Sequence, residues 1–241
     1  MEKRMARGLL PAFLAMAALC GPHAALSQGS EDARLVTATQ VLEELRSTPD
    51  QNVPSWLLDR AYGVAVIPNV IKGGLVFAAR HGKGVMVARD AQGRFSSPVF
   101  ISLTGGSVGW QAGAQASDVV LVFATKRSLS NFGRGQFTLG VDGSAAAGPV
   151  GRSGEAAAGL QAEIYSYSRA RGLFAGIALD GTALVFDRKA NRSFYGHDVT
   201  ADDIFLGMVS SKSEAARRFI AAIVAGMSPP APGSPSGPAP V

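Results

Sequence analysis

From Tyr62 to Phe186 apolar residues alternate with polar or small ones at period two, and glycines are scattered through the same runs. Successive side chains of a strand point to opposite faces, so this pattern calls for half-buried antiparallel strands rather than a helical bundle. Phe137, Leu139 and Val141 alternate with Gln136, Thr138, Gly140 and Asp142. Leu160, Ala162 and Ile164 alternate with Gln161, Glu163 and Tyr165. Shorter apolar runs occupy 62–67 and 75–79. Residues 85–89 pair with 95–103 across Asp90-Ala91-Gln92-Gly93, a hairpin turn that sets Phe95, Val99, Ile101 and Leu103 on one face. Residues 173–179 and 182–186 flank Asp180-Gly181, a second hairpin signal. Glycine inside strands permits sharp bending and close backbone approach, so the sheet is expected to be strongly curved.

Helices flank this region. Ser30-Glu31-Asp32 has the form of a cap with acids in the first turn. Leu35, Ala38, Val41, Leu42 and Leu45 then recur at helical spacing as far as Arg46. Pro54 suits the first turn of a short second helix through Trp56, Leu57 and Leu58. Thr125 caps a short helix ending at Gly133. Thr200 with Asp203 forms a capping box, and Ser213 opens a last helix through Phe219, Ile220 and Ile223 to Gly226. The expected fold is α+β: one domain at 28–227, with a curved or closed, mainly antiparallel sheet of about eight to ten strands, barrel-like or sandwich, between N- and C-terminal helices.

Both ends lie outside that domain. Lys3, Arg4 and Arg7 precede an apolar run at 9–20, and Ala25-Leu26-Ser27 offers small residues around a cleavage point. Residues 1–27 therefore read as a signal peptide directing the chain to the periplasm or cell envelope. That run has 12 residues, whereas a spanning helix needs about 20. A lipoprotein through Cys20 is the alternative, although Leu19 stands where such sites take a small residue. Cleavage after Ser27 would remove the single cysteine, leaving no disulfide to form. Residues 228–241 (SPPAPGSPSGPAPV) have six prolines and no apolar periodicity, the composition of a disordered tail.

Three stretches carry a family likeness: 63–89 (GVAVIPNVIKGGLVFAARHGKGVMVAR), 146–155 (AAGPVGRSGE) and 165–196 (YSYSRARGLFAGIALDGTALVFDRKANRSFYG). Together they resemble the SYLF domain of yeast actin-patch proteins, their animal and plant relatives, and many secreted bacterial proteins. The resemblance implies lipid binding, of phosphoinositides in the eukaryotic members, with actin binding in fungi; it implies no enzymatic activity and no cofactor. Two departures bear on this. The N-terminal helix of the eukaryotic relatives is often basic, whereas here Glu31, Asp32, Glu43 and Glu44 outnumber Arg34 and Arg46, so this helix is expected to pack on the core. An export signal also removes the chain from cytosolic actin, which is not expected as a partner.

The candidate partner is therefore a phospholipid or other anionic amphiphile at a membrane surface, held by cations near glycine-rich turns and by apolar tips. The candidate residues are Lys72, Arg80, Lys83, Arg89, Trp110, Lys126, Arg127, Arg169, Arg171 and Phe174. Arginine suits the task because its planar fork grips phosphate through two hydrogen bonds. The chain is mildly basic but has no basic run interleaved with aromatics, so no nucleic acid is implied. Residues 148–154 read as a tight turn, since they lack the Lys-Ser/Thr ending of a phosphate loop.

Two further functional classes have sequence support. Gly105-Gly106-Ser107-Val108-Gly109 fits the G-x-S-x-G elbow of a serine hydrolase, with Asp180 or Asp187 and then His197 in hydrolase order; the elbow demands a strand-turn-helix. Glycine-rich strands behind a leader also fit an outer-membrane barrel or other structural envelope protein, although these strands are short and flanked by helices. No metal site is expected, because beyond the leader only His81 and His197 remain and neither has carboxylates at ligand spacing.

Overall fold

The computed structural model describes residues 23–47, 53–74, 77–108, 113–133, 135–150, 162–170 and 173–227. Two helices come first, α1 (His23–Arg46) and α2 (Ser55–Arg60). Four long strands follow: β1 (Gly63–Gly74), β2 (Phe77–Ala88), β3 (Val99–Val108) and β4 (Gly113–Phe123). After helix α3 (Lys126–Phe132) come the short strands β5 (Gln136–Thr138) and β6 (Ala145–Ala147), then β7 (Ile164–Ala170), β8 (Leu173–Gly176) and β9 (Ala183–Phe186). Helices α4 (Arg188–Tyr195), α5 (Ala201–Phe205) and α6 (Glu214–Met227) complete the domain.

The strands form one sheet in the order β5-β9-β3-β2-β1-β4-β7-β6, and β8 also pairs with β7. Every ladder is antiparallel except β6 with β7. β5 and β6 lie at opposite ends of this order, yet only a turn separates them in the chain. That turn is made at Gly140, whose φ is +82° and whose N–H donates to the Gly143 carbonyl at 2.9 Å. The sheet must therefore curl until its edges approach, giving a half-barrel. Across its interior Phe123 of β4 meets Phe137 of β5 edge-on, with ring centroids 6.3 Å apart.

Both faces of the curl are buried along the same strands. Ala65, Ile67, Met86, Ile101, Leu103, Leu121 and Phe123 fill the concave side with Leu129 and Phe132 of α3 and Ile204 of α5. Val64, Val66, Val85, Val87, Phe100, Val120 and Val122 face the convex side beneath α1, α4 and α6. Burial on two faces explains why 62–67 reads as an unbroken apolar run, since each buried branched side chain contributes about 1.5–3 kcal/mol. As its charge predicts, α1 packs on the core through Leu35, Ala38, Val41, Leu42 and Leu45. With its convex face under helices, the sheet has no lipid-facing outer band there of the kind a membrane barrel needs.

The structure departs from the sequence reading in several places. Helix α1 begins at His23, so Ser30, Glu31 and Asp32 lie within it; Glu31 is buried beside Arg34 at 4.0 Å. The runs 75–79 and 85–89 belong largely to one strand, β2, whose glycines and charges interrupt its apolar pattern. Val99, Ile101 and Leu103 share the concave face, but Phe95 packs against the convex core because residues 96–98 leave the ladder. Asp180-Gly181 does turn, with Gly181 at φ +72°, yet its flanks do not pair with each other. β8 joins β7 while β9 joins β3 and β5, where Leu184 enters the concave core. The alternation at Val141 ends in the Gly140 turn, leaving Val141 exposed. Helix α4 is an element beyond those expected: Asp187 caps its first turn and Gly196, at φ +79°, ends it. Within α4 the buried Asn191 acts as a strand neighbour: its amide accepts from Phe100 N–H at 3.0 Å and donates to the Phe100 carbonyl at 2.8 Å.

Candidate functional site

The four central strands outrun both cores. Among the residues of β1 whose burial is described, Val70 is the last buried one, and Ile71 beyond it is 59% exposed. A bulge marks the boundary: the register of β1 slips against β4 between Ile67 and Val70, and against β2 between Val66 and Ile71. Pro68 has no N–H to offer the ladder, and Asn69 takes φ +50°, while its N–H donates to Asp118 Oδ1 at 3.0 Å. Beyond the bulge Lys72 stands opposite Arg80 of β2 and Gln115 of β4, and Arg80 stands opposite Gly105 of β3. Residues directly opposite in a ladder lie about 4.5–5.5 Å apart at Cβ on one face, so these two cations are side by side.

Alternation from Gly82, where a Cβ would meet Val70 and Ile67, sets Arg80 and Lys72 on the concave side at the mouth of the curl. His81 and Lys83 point to the convex side, His81 Nδ1 lying 3.3 Å from Thr104 Oγ1. No acid occurs between Arg60 and Ser117 except Asp90, which is bonded to Arg94 at 3.0 Å near the opposite end of β2. Among the described residues Lys72, Arg80 and Lys83 make no ion pair, and burial lowers the Arg80 pKa from its ordinary value. Like charges opposite one another in a sheet repel, and the arrangement is relieved by an anion between them.

The remaining sequence candidates are dispersed. Arg89, at the base of β2, donates to the carbonyls of Asp59 and Leu58 and lies 4.9 Å over the Phe95 ring, so it holds the end of α2. Lys126 and Arg127 open α3, past the base of β4; Arg127 approaches Glu163 at 3.8 Å. Eight residues of β4 separate Gln115 from Phe123, about 26 Å at roughly 3.3 Å per residue, so this basal group cannot share a ligand headgroup with Lys72. Arg169 is engaged internally, gripping Asp118 through Nε and Nη2 at 3.1 and 2.9 Å and pairing with Glu44 of α1. Phe174 is buried, stacked on Tyr167 at 5.2 Å, and is no exposed tip. Trp110, Arg171 and the turn at 148–154 lie wholly or largely outside the described residues.

Ser107 lies within β3, which continues to Val108; the sharp strand-turn-helix of a hydrolase elbow is not formed at this serine. Sequence reasoning missed the Asn69 bulge and the Asp118–Arg169–Glu44 contacts. Pro68-Asn69 was the available signal for the bulge; the contacts join residues too distant in sequence to be paired by inspection.

A family model described as "Ysc84: Las17-binding protein actin regulator" matches residues 104–225, half of the chain. The chain belongs to the Ysc84 family. The match takes in the motif 166–176 (SYSRARGLFAG), and the SYLF resemblance is thereby established. Among curated Ysc84 relatives, LAS seventeen-binding protein 3 of Saccharomyces cerevisiae is 41% identical over 165 residues, covering 66% of this chain and 36% of that protein. SH3 domain-containing YSC84-like protein 1 of Xenopus laevis is 37% identical over 187 residues, covering 74% and 56%. The human protein of that name is 36% identical over 178 residues, covering 70% and 52%. The chain thus spans about a third of the yeast relative and just over half of the vertebrate ones.

Proposed function

We propose that this chain is a non-enzymatic module that binds anionic amphiphiles, with headgroup phosphate held at the projecting end of β1–β4 by Lys72 and Arg80, and with Lys83 adding attraction to the surface. One observation carries this reading: two adjacent cations opposite one another on β1 and β2, within a stretch (61–116) whose one acid, Asp90, lies near the other end of β2, and neither with an ion-pair partner among the described residues. Arg89, Arg169 and Phe174 are occupied inside the fold and play no part in it. The leader-like segment 1–27 supports export to the periplasm or envelope, where the lipid would be a bacterial phospholipid. The relatives' names attach Las17 binding and actin regulation to those proteins. Carried to this chain, they would make a protein the partner, which co-sedimentation with actin filaments distinguishes.

Vesicle flotation tests the reading. Wild-type protein is expected to float with anionic vesicles at low salt, to release as salt rises, and to ignore neutral vesicles. Each basic residue near such a surface contributes about 1 kcal/mol, so Lys72→Glu with Arg80→Glu should weaken binding by about thirtyfold or more. Equal flotation of wild type and the double variant would overturn it.

A further inference from the structure

At the opposite end of the strands lies a groove of about 820 Å³ between residues 89–97, the start of α3 and the turn after α5. Phe95, Leu129, Phe205 and Leu206 supply apolar lining, with Ser96 and Ser130 among its hydroxyls. Leu206 is 75% exposed and Met208, two residues on, 64%, so the turn after α5 presents oily side chains without cover among the described residues. Arg89 also lines the groove, and its Nε is buried without an acceptor.

Helix α6 ends beside Arg89, one of the residues that line this groove. Met227, its last residue, has Sδ 3.5 Å from Arg89 Nη2. The chain continues with 14 residues in which Pro229, Pro232, Pro235 and Pro238 recur every third position. A polyproline II helix has three residues per turn, so in that conformation these four prolines would align along one edge, with the small residues Ala231, Gly233, Ser234 and Ser236 between them. At 3.1 Å per residue the ridge is about 28 Å long, and it starts two residues from Arg89's contact. Aromatic-lined grooves bind such ridges because proline restricts the free chain, which reduces the entropy lost on docking. The segment has no internal periodicity to fold by itself, and it carries no side-chain charge to desolvate.

We propose that residues 228–241 dock in cis in this groove, their proline ridge against Phe95, Leu129 and Leu206. A short connection confers an effective concentration in the millimolar range, so weak contacts suffice to keep the groove covered. The proposal is independent of the headgroup site, which lies at the other end of the strands.

Amide NMR spectra of the full chain and of the same chain stopped after Met227 test it. The expected result is that removing the tail shifts the amide resonances of Ser96, Ser130, Leu206 and Gly207, and that a synthetic 228–241 peptide at millimolar concentration moves them back. Replacing all four ridge prolines by alanine, or the exposed Leu206 by glutamate, is expected to reproduce the tail-less spectrum at these positions. Identical groove resonances with and without the tail would overturn the proposal. So would changes confined to the end of α6, or binding of the ridge only to another protein.

Discussion

The base and the projecting end of β1–β4 belong to the same four strands and were built by opposite rules. At the base, Val64–Ile67, Val85–Ala88 and Val119–Phe123 are buried on both faces, and the chain there is branched and aromatic. Beyond the Asn69 bulge the strands hold hydrogen-bond register, the described side chains Ile71, His81 and Thr104 are exposed, and Gly, Ala, Ser and Thr become frequent. Backbone pairing is common to both ends; among the described residues the base adds far more side-chain burial, so stability should reside at the base and binding at the projecting end. On this extension Lys72 and Arg80 have no ion-pair partner among the described residues, and the one acid of the stretch 61–116, Asp90, is bonded to Arg94 near the other end of β2.

The largest effect should come from the base. Phe123→Ala would open a cavity between β4 and β5 and is expected to cost about 3–5 kcal/mol in urea unfolding. Asn191→Ala should cost about 1–3 kcal/mol, because the Phe100 N–H would be left buried without an acceptor. Acid should act more gently. The Thr200 hydroxyl and N–H hold the Asp203 carboxyl below its ordinary value, the Arg94 N–H does so for Asp90, and the Arg217 side chain for Glu214. A depressed folded value means the stabilisation is full above the unfolded value of about 4 and is lost as pH falls through the folded values. The melting temperature should therefore drop below pH 4, and Asp203→Asn should reduce the slope. Smallest of all, Ile71→Ser at the exposed end should change stability by no more than about 0.5 kcal/mol. A cost at Ile71 comparable to that at Phe123 would erase the distinction between the two ends.

Much of the local architecture was legible in the chain. Thr125, Thr200 and Ser213 cap the helices they were expected to cap, because a cap is a contact between residues three apart. The strand periods were legible for the same reason. Strand partners were not: Asp180-Gly181 announces a turn but says nothing of whether its flanks meet each other or older neighbours. Nor could the candidate site be narrowed from sequence. Arg169 and Arg80 look alike beside their glycines, yet one grips an acid 51 positions away and the other has none.

Alone, the sequence determined the strand-and-helix grammar, the family and the acid-poor stretch from Arg60 to Ser117, since each is written in neighbouring residues. The tertiary structure decided how far along each strand the core extends and which cations remain unpaired. Those outcomes depend on charges and surfaces brought together from distant parts of the chain, and a period of two specifies a face without specifying what will cover it.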